Sequence, residues 1–343
     1  PICWPFTGWG VSFFSTLSSM PFFSIIIPTY NRAYILPRAL DSIKQQSFDD
    51  WECIIVDDSS TDNTIELINK YENEDKRFKY IKNTHKKGAC GARNTGIDYA
   101  TGKWIIFLDS DNSLFTMALT TIFNNIQQET KADIITWKSE LINSLTEKSS
   151  GPLPWVCGNG HIHNEVFSCE YYIDTNAAAI KKQILDSIAG FDERCESFED
   201  WDLHIRLSKT GLYHAINQPL NYYYTGNPDQ LSLDELKHYN ALMYIFHKYS
   251  AAWIENIDFY IKRRKVVFLC INKLCRYQKQ IVSRCIYLME KYEKDGIDNP
   301  NQYFDRSNSR IELLFSLSQK NNLLMTFKVA CIMLSIKFSH HNI

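Results

Sequence analysis

Two carboxylates one residue apart, Asp109 and Asp111, follow directly on the apolar run Ile106-Phe107-Leu108. An apolar run of this kind reads as a buried strand, so the pair arrives at the end of a sheet. Oxygen ligands there suit a hard divalent cation held against a diphosphate. An acidic pair alone fits a solvated turn equally well, so the argument turns on what else the chain brings to the same place. A second acidic group, Glu199, Asp200 and Asp202, precedes a helix-like run. A carboxylate is the group that takes a proton from a poor nucleophile such as a hydroxyl.

The elements that must position these groups alternate regularly. Apolar, β-branched runs begin at Phe23, Trp51, Phe78 and Trp104, which are 28, 27 and 26 residues apart. Each interval holds a helix-like segment: Tyr34–Gln46, Asn63–Glu74 (where Asn63 and Glu66 form a capping-box pattern) and Cys90–Ala100. Strands alternating with helices at this spacing predict βαβ units and a parallel sheet covered on both faces. Ligands of such sheets lie beyond the carboxyl ends of the strands. Those ends carry Pro28-Thr29-Tyr30-Asn31-Arg32, then Asp57-Asp58-Ser59-Ser60, then His85-Lys86-Lys87-Gly88 leading to Arg93-Asn94, then Asp109-Ser110-Asp111. Asp57 or Asp58 could equally cap the helix that follows. Four segments converge on one edge.

Beyond Asn112 the pattern loosens. The run Asp133–Ser139 is strand-like, and residues 191–211 join an acidic turn to an amphipathic helix with Leu203, Ile205 and Leu207 as packing residues. From about Leu233 the sequence reads as helical. Residues 261–291 carry nine Lys/Arg and one acid, Glu290, a basic face suited either to solvent or to peripheral contact with anionic lipid.

With 343 residues, 45% of them hydrophobic, the chain can bury a sizeable core. A net charge of −2 excludes a global nucleic-acid footprint. Ten cysteines without CxxC pairs read as reduced thiols of a cytoplasmic protein. No run reaches the length of a transmembrane helix, and the uncharged leader lacks a basic start. The expected division is an extension over 1–20 outside the functional domain, a domain over 21–232 (nucleotide-binding half 21–112, acceptor half 113–232) and a helical region over 233–343.

With IIIPTYNR, IIVDDSSTDNT, GACGARNTGI, GKWIIFLDSDN and FDERCESFEDWDL in this order and spacing, the chain resembles the family 2 glycosyltransferases. The resemblance covers about Phe22 to Ser232. It implies an α/β fold of GT-A type, a mixed and mainly parallel sheet with flanking helices. It also implies inverting transfer of a sugar from a nucleotide diphosphate, usually UDP, to a glycan or lipid-linked acceptor, as in surface polysaccharide or lipopolysaccharide synthesis. Pro28, Thr29 and Tyr30 would border the nucleotide, Asp58 would bind the uracil, and Arg93 would lie near base and phosphates. Asp109 would serve the ribose or the metal, Asp111 would hold Mn²⁺ or Mg²⁺, and Asp200 would be the base. Beside it, Glu199 and Trp201 are candidates for the acceptor sugar, though Trp201 reads first as a packing residue and only second as a ring that stacks on a sugar face.

The chain departs from the family pattern in three places. Ser59-Ser60 stands where glycine and serine are frequent, Asn112 replaces a frequent third acid, and NYYYTGNPDQLS lacks the histidine that often contacts the metal after the base. Two rivals lack their motifs: a nucleotidyltransferase would want a glycine-rich loop after the first strand, and an oxidoreductase GxGxxG. A non-catalytic carbohydrate- or membrane-binding scaffold of the same fold is the alternative, and the acids at both metal and base positions argue against it.

Overall fold

The computed structural model describes residues 20–129, 131–153, 158–168 and 170–226, with six further positions between 241 and 252. Strands β1 (Phe23–Thr29), β2 (Trp51–Asp57), β3 (Phe78–Lys82) and β4 (Trp104–Phe107) begin at the four residues that the spacing predicts. They pair in parallel in the order β3-β2-β1-β4. The intervening helices are α1 (Pro37–Lys44), α2 (Thr64–Glu74) and α3 (Ala89–Tyr99). α1 opens on proline, whose missing N–H falls in the first turn where no helical acceptor exists.

The apolar runs fill both faces of the sheet. Along β1, Ile26 packs with the cluster under α3, while Ile25 and Ile27 join the cluster under α1 and α2. α3 lies close on β1 because Gly96 faces it: a Cβ there would stand 2.3 Å from Ile26 Cγ2. That close approach carries Arg93 to the strand ends.

One local expectation is corrected. Asn63 makes no side-chain cap bond, so the capping box does not form. Asp62 accepts the Thr64 amide (3.1 Å) and the Thr64 hydroxyl instead, and also the Ala33 amide (3.1 Å). One carboxylate thereby starts α2 and pins the loop after β1.

The second half is built differently. It comprises β5 (Ser113–Leu114), α4 (Ala118–Gln128), β6 (Ile134–Asn143), β7 (Ser149–Pro152), α5 (His163–Phe167), a 3-10 turn (Thr175–Ala177), β8 (Ala178–Lys181), α6 (Lys182–Ser187), α7 (Glu199–Leu207) and β9 (Tyr213–Thr225). The sheet continues β4-β8-β6-β9-β5, with β7 on β6. β8 is antiparallel to β4 and β6, whereas β9 runs parallel to β6 with register shifts between Thr136 and Ser139. The sheet is mixed, with its parallel block in the first half.

α7 is not amphipathic as expected. Leu203, Ile205 and Leu207 are buried, but so are Asp200, Trp201, Asp202 and His204. The helix is enclosed nearly all round and its polar residues have protein partners. Ala241, Tyr244, Ile245, Lys248 and Ala252 are helical, and Tyr249 follows in a turn. The extension over 1–19, most of 233–343 and the whole basic stretch 261–291 lie outside the described residues. Among the described residues no helix is long and apolar enough to cross a membrane. Cys53, Cys90 and Cys195 are buried free thiols, in line with the reduced state expected.

Candidate active site

The loops after β1 and β2 are stitched into one rim. Asn31, at φ +52°, accepts the Thr61 amide through Oδ1 (2.7 Å) and donates its own amide to Ser60 Oγ (2.8 Å). Ser59 sits at φ +70°, a left-handed conformation that glycine adopts more readily and that explains a glycine preference at such a turn. Asp57 accepts the Ser60 amide and so closes the turn; it does not cap α2, where Asp62 takes that place. Pro28 and Thr29 end β1; the Thr29 carbonyl accepts the Asp58 amide (2.9 Å), and its buried Oγ1 has no partner. Tyr30 is 43% exposed, with the Lys87 ammonium 4.3 Å above its ring.

Asp58 is buried, and both its oxygens are engaged. Oδ1 accepts from Asn83 Nδ2 (2.7 Å), and Oδ2 from the amide of Gly88 (2.9 Å). Gly88 stands at φ +125°, where only glycine is at ease, and it begins α3. The carboxylate thus holds the third strand-end loop against the second. Each oxygen keeps a further acceptor position for a ligand.

The acidic pair is held from two sides. Asp109 Oδ1 accepts from Arg93 Nη2 (2.8 Å) and Oδ2 from Asn176 Nδ2 (2.8 Å), while Asn176 Oδ1 takes the Asp109 amide (2.6 Å). Arg38 donates Nη1 to the Asp111 carbonyl (3.3 Å) and stacks on Tyr224 (3.8 Å). Asn112 is buried and accepts the Tyr224 amide (3.0 Å). It therefore fastens the turn to β9, consistent with its not being read as a ligand.

Arg93 is the joint between the halves. Its guanidinium spans Asp109 and, through Nη1, Glu199 (2.9 Å), with a side chain only 4% exposed. Burial opposes its charge; Asp109 and Glu199 outweigh that and hold it protonated.

Asp200 lies in the first turn of α7, two residues after Phe198, which sits at φ +55°. Strain of this kind in a bulky residue, about 1–3 kcal/mol, persists where the surroundings fix a geometry. Asp200 is buried; Oδ1 accepts the Trp201 amide (2.7 Å) and Oδ2 the Tyr172 hydroxyl. Burial raises its pKa, and Glu199 and Asp174 raise it further against the lowering effect of Tyr172. Trp201 is 4% exposed and donates Nε1 to the Val166 carbonyl (2.8 Å). So enclosed a ring is a packing group, the first of its two readings, and not a ring open to an acceptor sugar.

Three site residues are invisible in the sequence. Asp174 accepts from the Asn176 amide and Nδ2 (2.8 and 2.9 Å), but its buried Oδ2 has no partner, and burial raises its pKa to about 6. Tyr172 donates its hydroxyl to Asp200. Tyr223 stands close enough to Asp174, Asp109, Asp111 and Asp200 that burial and these four charges raise its pKa in turn. None belongs to a spaced motif: Tyr172 and Asp174 come from a loop, and Tyr223 is one of three successive tyrosines.

A second cluster, Asp192, Cys195 and Asp202, has the residue types of a metal site. Lys248 already supplies positive charge there, donating to Asp192 (2.7 Å) and Asp202 (2.6 Å). Tyr244 and Tyr249 add hydroxyl donors to the same two acids, so this segment clasps the base-bearing helix.

Residues 24–174 match the model of glycosyl transferase family 2. The amylovoran biosynthesis glycosyltransferase AmsB of Erwinia amylovora is 30% identical over 251 residues, 71% of this chain and 80% of that one. The GalNAc(5)-diNAcBac-PP-undecaprenol beta-1,3-glucosyltransferase of Campylobacter jejuni is 39% identical over 110 residues, and the match spans only 36% of its length. Among solved structures, S. aureus TarS 1-349 in complex with UDP-GlcNAc superposes with a TM-score of 0.52 at 20% identity, over 64% of this chain and 66% of that one, and shares the fold. On these matches, and with a mixed sheet of GT-A type beneath them, the chain belongs to glycosyl transferase family 2.

Proposed function

We propose that this glycosyltransferase moves a sugar from a UDP-sugar to a hydroxyl of a glycan or lipid-linked acceptor, with inversion at the anomeric carbon. The observation that carries the proposal is the Asp109–Arg93–Glu199 bridge, at 2.8 and 2.9 Å. It ties the acidic pair of the donor edge to the helix that bears Asp200, and Tyr223 stands near Asp109, Asp111 and Asp200 alike. The relatives named for amylovoran biosynthesis in Erwinia and for a PP-undecaprenol-linked glycan in Campylobacter support a surface-polysaccharide or lipopolysaccharide setting.

Pro28, Thr29, Tyr30 and Asp58 line the nucleotide rim, with Arg93 and Asp109 beneath. The donor set fits a divalent cation: oxygen ligands from Asp111 and Asp109, and four carboxylates near Tyr223 against the two guanidiniums of Arg93 and Arg38. Mn²⁺ or Mg²⁺ there would supply positive charge to the diphosphate leaving group. Asp200 takes the proton of the acceptor hydroxyl as its oxygen bonds to the anomeric carbon. The bond from that carbon to the diphosphate breaks, and its electron pair leaves on the diphosphate. Inversion needs base and leaving group on opposite faces of the sugar and forms no covalent sugar–enzyme species.

The test is a thermal-shift series with UDP, UDP-glucose and UDP-N-acetylglucosamine, with and without Mn²⁺. A ligand at about 100 times its Kd should stabilise the fold by ~2.7 kcal/mol. The shift should require Mn²⁺ and disappear in Asp111→Ala. A nucleotide shift of equal size with and without metal, or one retained in Asp111→Ala, would overturn the metal assignment.

A further inference from the structure

We propose that Tyr172 is the positioning residue of the base: its hydroxyl, donated to Asp200 Oδ2, fixes the carboxylate's rotation and keeps it in the ionised form that accepts a proton. This rests on the reading of Asp200 as base.

Asp200 is buried within a surplus of negative charge. Glu199 precedes it on α7; Asp174 faces it from the segment before the 3-10 turn; Tyr223 faces it from β9; and Arg93 of α3 donates to Asp109 and Glu199. A carboxylate so placed favours the proton unless donors hold its anion. The described residues give it two. One is the Trp201 amide, on its own helix, which binds Oδ1 and moves with it. The other is the Tyr172 hydroxyl, which comes from a separate segment and is the one that sets α7 against the acceptor half.

Tyr172 suits this role chemically. Burial and the neighbouring acids hold its pKa well above the usual tyrosine value, so it keeps its proton and donates without transferring it. A neutral donor strengthens the anion without the large depression of basicity that a paired cation would cause. Tyr172 lines a small cavity with Thr136, Ser139, Leu153 and Asp174, between β6 and the loop that carries it. Each Asp200 oxygen then retains one lone-pair position, the one left for the acceptor hydroxyl.

The experiment follows the Asp200 carboxyl carbon by NMR in full-length protein labelled with carboxyl-¹³C aspartate, assigned by its loss in Asp200→Asn. In Tyr172→Phe the titration midpoint should move up by about one pH unit. Replacing Tyr172 with 3-fluorotyrosine, a more acidic donor, should move it down, and this variant keeps the hydrogen bond should the phenylalanine variant fold poorly. A midpoint unchanged in both variants would overturn the proposal, whatever reaction the protein catalyses. Hydrolysis of UDP-glucose and UDP-N-acetylglucosamine with Mn²⁺ gives the second readout. The acid limb of kcat should shift in the same directions with KM for the donor unchanged, so that kcat at pH 7 falls by about tenfold in Tyr172→Phe. Absence of turnover in the unmodified protein would count against the proposed function and leave the NMR result to judge Tyr172.

Discussion

The two halves of the molecule treat their carboxylates in opposite ways. At the strand ends of the first half two acids are answered by donors from other segments: Asp58 by Asn83 and the Gly88 amide, Asp109 by Arg93 and Asn176. In the acceptor half Asp174 and Asp200 are buried near each other, one with an orphaned oxygen, and both are pushed up in pKa. An anion supplied with donors stays charged and suits binding of a cation. Asp174 is short of donors and Asp200 is buried beside like charges that outweigh its two donors, so each takes up a proton more readily, which in Asp200 suits the base proposed above. Arg93 stands between the two environments, with one arm in each.

The sharpest break in the comparison is at the base. Asp200→Asn keeps the volume and an acceptor oxygen for Tyr172 but removes the proton acceptor. Transfer should fall by about 10³-fold, the middle of the range for general base catalysis. Donor binding, read by calorimetry, should persist because the donor edge is untouched. Near-normal turnover would remove Asp200 from the mechanism and take the proton chemistry out of the acceptor half.

Next in size is the bridge. Arg93→Met leaves Asp109 and Glu199 without their shared cation, and both are partly shielded from solvent. Loss of one partner of a buried ion network should destabilise the fold by about 3 kcal/mol, measured by denaturant unfolding. Arg93→Lys should recover only part of it, because a single ammonium cannot reproduce a planar fork spanning two acids. Full recovery by lysine would mean that charge alone matters and that the halves are not tied through geometry.

The same division governs what the sequence discloses. β1 to β4 start where spacing predicts because each is a continuous apolar run between helices, a local pattern that parallel packing requires. Asp58, Arg93, Asp109 and Asp111 are legible because strand ends are where ligands of such sheets bind. The acceptor half has no such rule. Tyr172 and Asp174 lie in irregular chain, and Asn176 in the 3-10 turn reaches Asp109 across 67 residues of sequence. Tyr223 arrives through a β6–β9 pairing whose register shifts, which period-two alternation does not foresee. Trp201 shows the limit of the same reading: beside Asp200 it allows both packing and sugar stacking, and only the burial of nearly all of α7 decides for packing.

The smallest effect is also the most specific. Asp174 titrates at about 6 in the fold because burial outweighs the two Asn176 donors, against about 3.9 for an ordinary aspartate. A raised folded pKa means that its contribution to stability is fully present below about pH 4 and is lost as pH rises through 6. Asp174→Asn keeps an acceptor for both Asn176 bonds and removes the buried charge. The variant should therefore be more stable than the parent by about 1–2 kcal/mol at pH 8, with the gain vanishing toward pH 4. Unfolding at pH 4.5, 6 and 8 measures this, and a difference independent of pH would show that Asp174 is not a buried anion. The same substitution removes a like charge beside Asp200, so the acid limb of turnover should move to lower pH, opposite to its movement in Tyr172→Phe. Opposite shifts from two neighbours on one loop are what a base balanced between a donor and a repelling acid requires; parallel shifts would mean that both changes simply loosen the loop.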